Sequence, residues 1–186
     1  MRRRFVLFGA ALVGALTAAG LLTQFGLGGS GKVQIGDGSV SALRRAARAG
    51  DALPQSVLAY PFAERNFASP DGKGARVLSA HGSLTLYAVP GKSGMVCLIE
   101  VDSAAGTAGG ACADRNVLKT GSIYMADRQE DGSLQVVGLV GDGHTFAEVN
   151  GRRTAVENNS FLLPQVEGSD LTIGSSTATQ EVDLGR

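Results

Sequence analysis

From Arg76 to Leu163 short β-branched and apolar runs are separated by turn residues at Pro90-Gly91, Asp131-Gly132, Gly141-Asp142-Gly143 and Asn150-Gly151. This spacing constrains the fold more than any other feature. Each turn supplies a preset or positive φ, and Asn150-Gly151 suits a tight primed hairpin. Strands are expected at Ser83–Val89, Met95–Val101, Gly121–Ala126, Leu134–Leu139, Thr145–Asn150, Ala155–Glu157 and Ser160–Leu163. Runs this short leave no room for crossover helices, which argues against a parallel βαβ architecture. The expectation is a mainly β domain over residues 76–168, an antiparallel meander forming a sandwich or an open barrel.

The N-terminus has a different texture. Met1 and three arginines precede Phe5–Leu22, eighteen residues without a charge. As a helix they rise about 27 Å, and extension through Leu27 reaches the roughly 30 Å of a hydrocarbon core. Positive charge before the run, and none in the stretch after it, places the N-terminus in the cytoplasm and the bulk of the chain outside. The run exceeds the usual signal-peptide core, so a single-pass membrane anchor over residues 1–27 is expected. The alternative is a secreted chain cut after the small-x-small sequence Ala18-Ala19-Gly20. Lipid attachment would need a cysteine just after the run, and the first is Cys97.

Residues 28–38 are glycine-rich and read as a flexible spacer. Residues 39–75 follow as one short helix and an irregular wrapping segment. The helix is expected over Ser39–Ala49, capped by Ser39 or Ser41 and ended by Gly50, and the wrapping segment offers Val57, Leu58, Tyr60, Phe62 and Phe67 for packing. Residues 169–186 form a polar tail, expected to lack structure.

Setting aside the three leading arginines leaves fourteen basic against seventeen acidic side chains, about −3. That balance argues against a nucleic-acid partner. Cys97 and Cys112 are the only cysteines, an even number in a compartment that permits oxidation, and are expected to form a disulfide across the Asp102–Gly110 loop. A redox-active pair would use the close CxxC spacing, and a zinc site would need His81 and His144 to join the cysteines without any paired spacing.

The succession Tyr87-x-x-Pro90-Gly91, Cys97-Leu98, Cys112, Val137-Gly138-Leu139-Val140 with Asp142-Gly143, and Asn158-Asn159 with Phe161 resembles small exported or membrane-anchored proteins of high-GC Gram-positive bacteria. It covers roughly residues 83–163. The shared pieces are turn and core residues, so the resemblance implies a scaffold and transfers no active site.

Three motifs invite chemical readings. Gly26 to Lys32 imitates a phosphate-binding loop, but Val33 stands where a magnesium-holding Ser or Thr is needed, so a spacer is the better reading. Asp127, Gln129 and Asp131-Gly132 imitate half a calcium loop, yet the twelfth position is Gly138, so a hairpin turn is expected. His144, two residues after Asp142, could serve as the base of an exported hydrolase. No G-x-S-x-G elbow accompanies it, and the segment reads first as a turn with an exposed histidine. His81 beside Gly82 reads as a solvated loop or strand-edge residue. No catalytic residue beyond the weak candidate His144, no cofactor and no metal is expected. The expected function is an extracytoplasmic binding or structural module, with the membrane and an envelope or surface protein as partners. Such a module should present an apolar or aromatic patch, with Tyr124 or Phe146 as candidates.

Overall fold

The computed structural model describes residues 23–28, 34–58 and 71–184. Within them the chain forms β1 (Thr23–Gly28), β2 (Arg76–His81), β3 (Leu84–Pro90), β4 (Met95–Asp102), β5 (Thr107–Asp114), β6 (Ser122–Arg128), β7 (Leu134–Val140), β8 (Phe146–Val149), β9 (Arg152–Ala155), β10 (Ser160–Val166), β11 (Asp170–Gly174) and β12 (Thr179–Asp183). The protein is mainly β. Its strands make three four-stranded antiparallel sheets, ordered β2-β3-β4-β5, β1-β6-β7-β10 and β12-β11-β8-β9.

The side-chain alternation of β6 and β7 decides how the sheets stack. Ile123, Met125, Val137 and Leu139 pack with Leu84, Leu86, Val96 and Leu98 of the first sheet. Tyr124, Ala126, Val136 and Val140 pack the other way, with Ala147, Val149, Leu171, Ile173 and Val182 of the third. The sheet containing β6 and β7 is therefore a central layer buried on both faces, which is why these strands read as nearly unbroken apolar runs. Gly138 faces Phe161 on β10, and any side chain there would collide with the ring. The outer face of the first sheet is covered in turn, because Leu53, Val57 and Ala75 pack on Tyr87, Val89, Cys97 and Ile99.

A meander describes β2 to β5 but not the whole chain. After β7 the Gly141–Thr145 linker crosses to the third sheet, β10 returns beside β7, and β11 and β12 go back again. Gly143 takes φ +97° in that crossing. The Asn150-Gly151 hairpin is as expected, with Val149 opposite Arg152 and both turn residues at positive φ, 47° and 78°. At Pro90-Gly91 the left-handed residues are instead Ser93 and Gly94.

Five expectations are corrected. The tail over 169–186 contains β11 and β12, whose Leu171, Ile173 and Val182 enter the core with the following Leu184, while charged and hydroxyl side chains alternate outward. Residues 23–28, divided between the expected anchor and spacer, are a strand paired with β6. The loop expected after Asp102 is largely β5. The helix expected over Ser39–Ala49 is only α1 (Ser41–Arg44), because Arg45 turns extended, φ −70° and ψ 154°, to reach Asp51. The strand expected at Ala155–Glu157 lies earlier, as β9. Among the described residues no helix is long and apolar enough to cross a membrane. Residues 1–22, and Tyr60, Phe62 and Phe67, lie outside the described residues.

Candidate functional site

The densest polar constellation lies where the 39–44 segment meets two turns of the β framework, the β7–β8 crossing and the β9–β10 turn. Asp142 is its hub. Its carboxylate accepts from Ser39 Oγ at 2.8 Å, Ser41 N at 2.9 Å, the Arg44 guanidinium at 2.8 Å and Asn159 Nδ2 at 2.8 Å. Burial alone pushes this carboxyl up, but the bonds from Asn159, Ser41 and Ser39 outweigh it and hold the pKa at about 2. Asn159 is the second hub. Its Oδ1 accepts from Ser41 Oγ and Ala42 N, and its Nδ2 also donates to Val140 O. Asn158 and Asn159 sit at φ 49° and 66°, a left-handed pair that asparagine tolerates. Asn158 turns to the first sheet and donates to Val77 O and Leu78 O. The two asparagines thus tie the first and central sheets and the 39–44 segment together.

This geometry bears directly on His144. Asp142, its expected partner, is committed to the 39–44 segment, and none of its bonds goes to the imidazole. The ring is only 6% exposed, which corrects the expectation of an exposed turn histidine. Its Nδ1 donates to Gly141 O at 2.9 Å, which leaves Nε2 as a buried lone pair without a hydrogen-bond partner. Burial holds the pKa below the ordinary histidine value despite that carbonyl. A base needs access to its substrate's proton, and this nitrogen faces the interior. His81 is exposed at the end of β2.

The cysteines are joined, Cys97 to Cys112. They are directly opposed residues of β4 and β5, so the bond staples a hairpin instead of spanning an irregular loop. Both sulfurs are thereby withdrawn from metal binding. Asp131, read as part of a calcium-like loop, accepts from Ser133 N at 2.9 Å and Ser133 Oγ at 2.6 Å, the Asx turn of the β6–β7 hairpin. Among the described residues no group of three or more His, Cys, Asp or Glu is placed to hold a metal ion.

Two acidic features escape a sequence reading. Asp51, 4% exposed, accepts from both terminal nitrogens of Arg45 at 2.7 and 2.6 Å, from Arg48 N at 2.6 Å and from Val77 N at 2.8 Å. Its carboxyl is held far below the usual range, chiefly by Arg45. Glu100 lies half-buried between the first and central sheets, and burial, then the neighbouring Asp127 and Asp102, push its pKa up to about 7. Neither pairing has a sequence signature, since Asp51 meets Val77 and Glu100 meets Asp127 only through the fold.

The aromatic candidates are differently placed from the expectation. Tyr124 is 4% exposed, its hydroxyl donating to Asp183 O at 3.2 Å. Phe146 is half-buried beneath the Arg153 guanidinium, 3.9 Å from the ring centroid. A shallow open depression at the β6–β7 turn is lined by Gln129, Glu130, Asp131, Gln135, Pro164 and Gln165, and is mostly polar in its side chains. Comparison of the chain with protein-family models, with curated proteins and with solved structures finds no match.

Proposed function

We propose that this protein is an extracytoplasmic β domain, carried across the cell membrane by its apolar N-terminal segment and acting as a binding or structural module on an envelope or surface partner. The observation that carries the reading is the Cys97–Cys112 bond between directly opposed strands, a linkage that persists in oxidising compartments. A layered sandwich, in preference to an open barrel, fits a central sheet buried on both faces. The side chains that might have served a hydrolase are committed elsewhere, Asp142 to the 39–44 segment and His144 to the interior. The balance of acidic over basic side chains supports a partner other than nucleic acid.

The test is a fusion, after Arg186, of a reporter enzyme that gains activity only where its own disulfides can form. Activity comparable to an exported control is expected. An intact but inactive fusion would overturn the reading.

A further inference from the structure

We propose that the peptide bond between Gly20 and Leu21 is a processing site, cut by a membrane-bound peptidase on the outer side, so that β1 becomes the N-terminal strand of the released domain. This rests on the extracytoplasmic reading above and changes the N-terminal segment from an anchor into a leader.

The inference starts from β6. Ser122 to Ala126 are all buried, and one edge of the strand is filled by β7, from Ser122 opposite Val140 to Arg128 opposite Leu134. The other edge is filled by β1, in register from Thr23 opposite Asp127 to Gly28 opposite Ser122. A strand buried on both faces cannot leave one row of N–H and C=O groups unpaired without a large cost. Residues 23–28 therefore belong to the folded domain.

An anchor has a claim on the same residues. A span of roughly 30 Å takes about 20 apolar residues, and Phe5–Leu22 supplies eighteen, about 27 Å of helix. The shortfall can be met only from Thr23 onward, where the sheet already holds the backbone. Even a thin span ending at Leu22 would leave no residue between the helix and β1, pressing the domain into the headgroups. Helix and strand compete for one segment.

Cleavage removes the competition. Ala18-Ala19-Gly20 has small side chains at the first and third positions before the cut, which such peptidases require, and only Leu21 and Leu22 separate the cut from β1. Water is consumed: its hydroxyl completes the carboxylate of Gly20, its proton goes to the new amine of Leu21, and no other reactant is needed. The fragment lost is residues 1–20, and every described strand stays in the product.

The full chain, expressed in its host and alkylated before and after reduction, is weighed intact. A mass lacking residues 1–20, with two labels gained only on reduction, is the expected result. A full-length, oxidised chain would overturn the cleavage and leave the extracytoplasmic reading standing. A full-length chain with free thiols would overturn both. A new N-terminus at Thr23 would place the cut elsewhere, and one beyond Thr23 would fall inside β1; either would also sink the proposal. The double variant Ala18→Leu, Gly20→Leu lies outside every described element and should accumulate as the full-length, membrane-retained chain; unchanged release would place the cut elsewhere.

Discussion

The two spaces on either side of the central sheet are built from similar aliphatic side chains but treat polar groups in opposite ways. Between the first and central sheets the packing is apolar from Leu84 to Leu139, and the ionisable Glu100 and its neighbour Asp127 sit half-buried. Between the central and third sheets, Ser122 Oγ, both amide atoms of Gln180 and His144 Nε2 are buried without a hydrogen-bond partner. Ser122 and Gln180 belong to strands that flank this space, and His144 to the linker that crosses it. A polar group taken out of water without a partner costs about 1–3 kcal/mol. The first space keeps its ionisable groups at a half-buried margin, and the second buries polar atoms unpaired.

The largest expected effect tests the apolar side of that comparison. Leu98, fully buried between the first and central sheets, should cost about 2–5 kcal/mol as Leu98→Ala, from lost transfer energy and the cavity left behind. Leu171→Ala, fully buried in the second space, should cost a similar amount, read as the shift in a urea midpoint. A loss under about 1 kcal/mol at either position would mean that the space collapses around the deletion and is not packed as described.

Gln180→Leu should run the other way. Gln180 is 4% exposed on the inner face of β12, and leucine fills a comparable volume without the two stranded amide atoms. A gain of about 1–3 kcal/mol is expected. Destabilisation would show that the amide is satisfied in solution and that the contrast between the two spaces is smaller than drawn. Tyr124→Phe, which removes only the bond to Asp183 O, should cost about 0.5–1.5 kcal/mol.

The same contrast explains which parts of the fold were legible in the sequence. β3, β4, β6 and β7 are buried on both faces and announce themselves as apolar runs between turn residues. β11 and β12 bury one face only. The alternation of Leu171 and Ile173, then of Val182 and Leu184, was present, but it was outweighed by the polar residues between them. β5 reads Thr-Ala-Gly-Gly-Ala-Cys-Ala-Asp, poor in the residues that favour strands, and is specified by pairing with β4 and by the disulfide. β1 was hidden because an apolar run serves a membrane helix and a strand equally well until its partner is known. At the Asp142 hub the residues were visible but not their alliances. Asp142 and His144, two positions apart, suggested a catalytic pair, whereas the carboxylate reaches back across the chain to Ser39, Ser41 and Arg44. Sequence proximity is a poor guide where a linker changes sheets.

The smallest net effect is a dependence on pH that the two spaces hide from one another. Glu100 titrates near 7 when folded against 4.5 when unfolded. Between those values the folded state holds a proton that the unfolded state has released, so this contribution to stability declines as pH rises. His144 has a folded pKa below 6.5. As pH falls through 6.5 the unfolded state takes up a proton that the folded state refuses, so stability declines in the opposite direction. Asp51 and Asp142 have folded values lowered from 3.8 and act only at more acid pH. The two contributions therefore oppose one another between pH 4.5 and 6.5. Glu100→Gln should expose a stability that rises with pH over this window, and His144→Phe one that falls. Urea midpoints at half-unit steps would settle both signs. Parallel profiles for the two variants would mean that neither group is held as the buried geometry requires, and would remove the electrostatic half of the distinction between the two spaces.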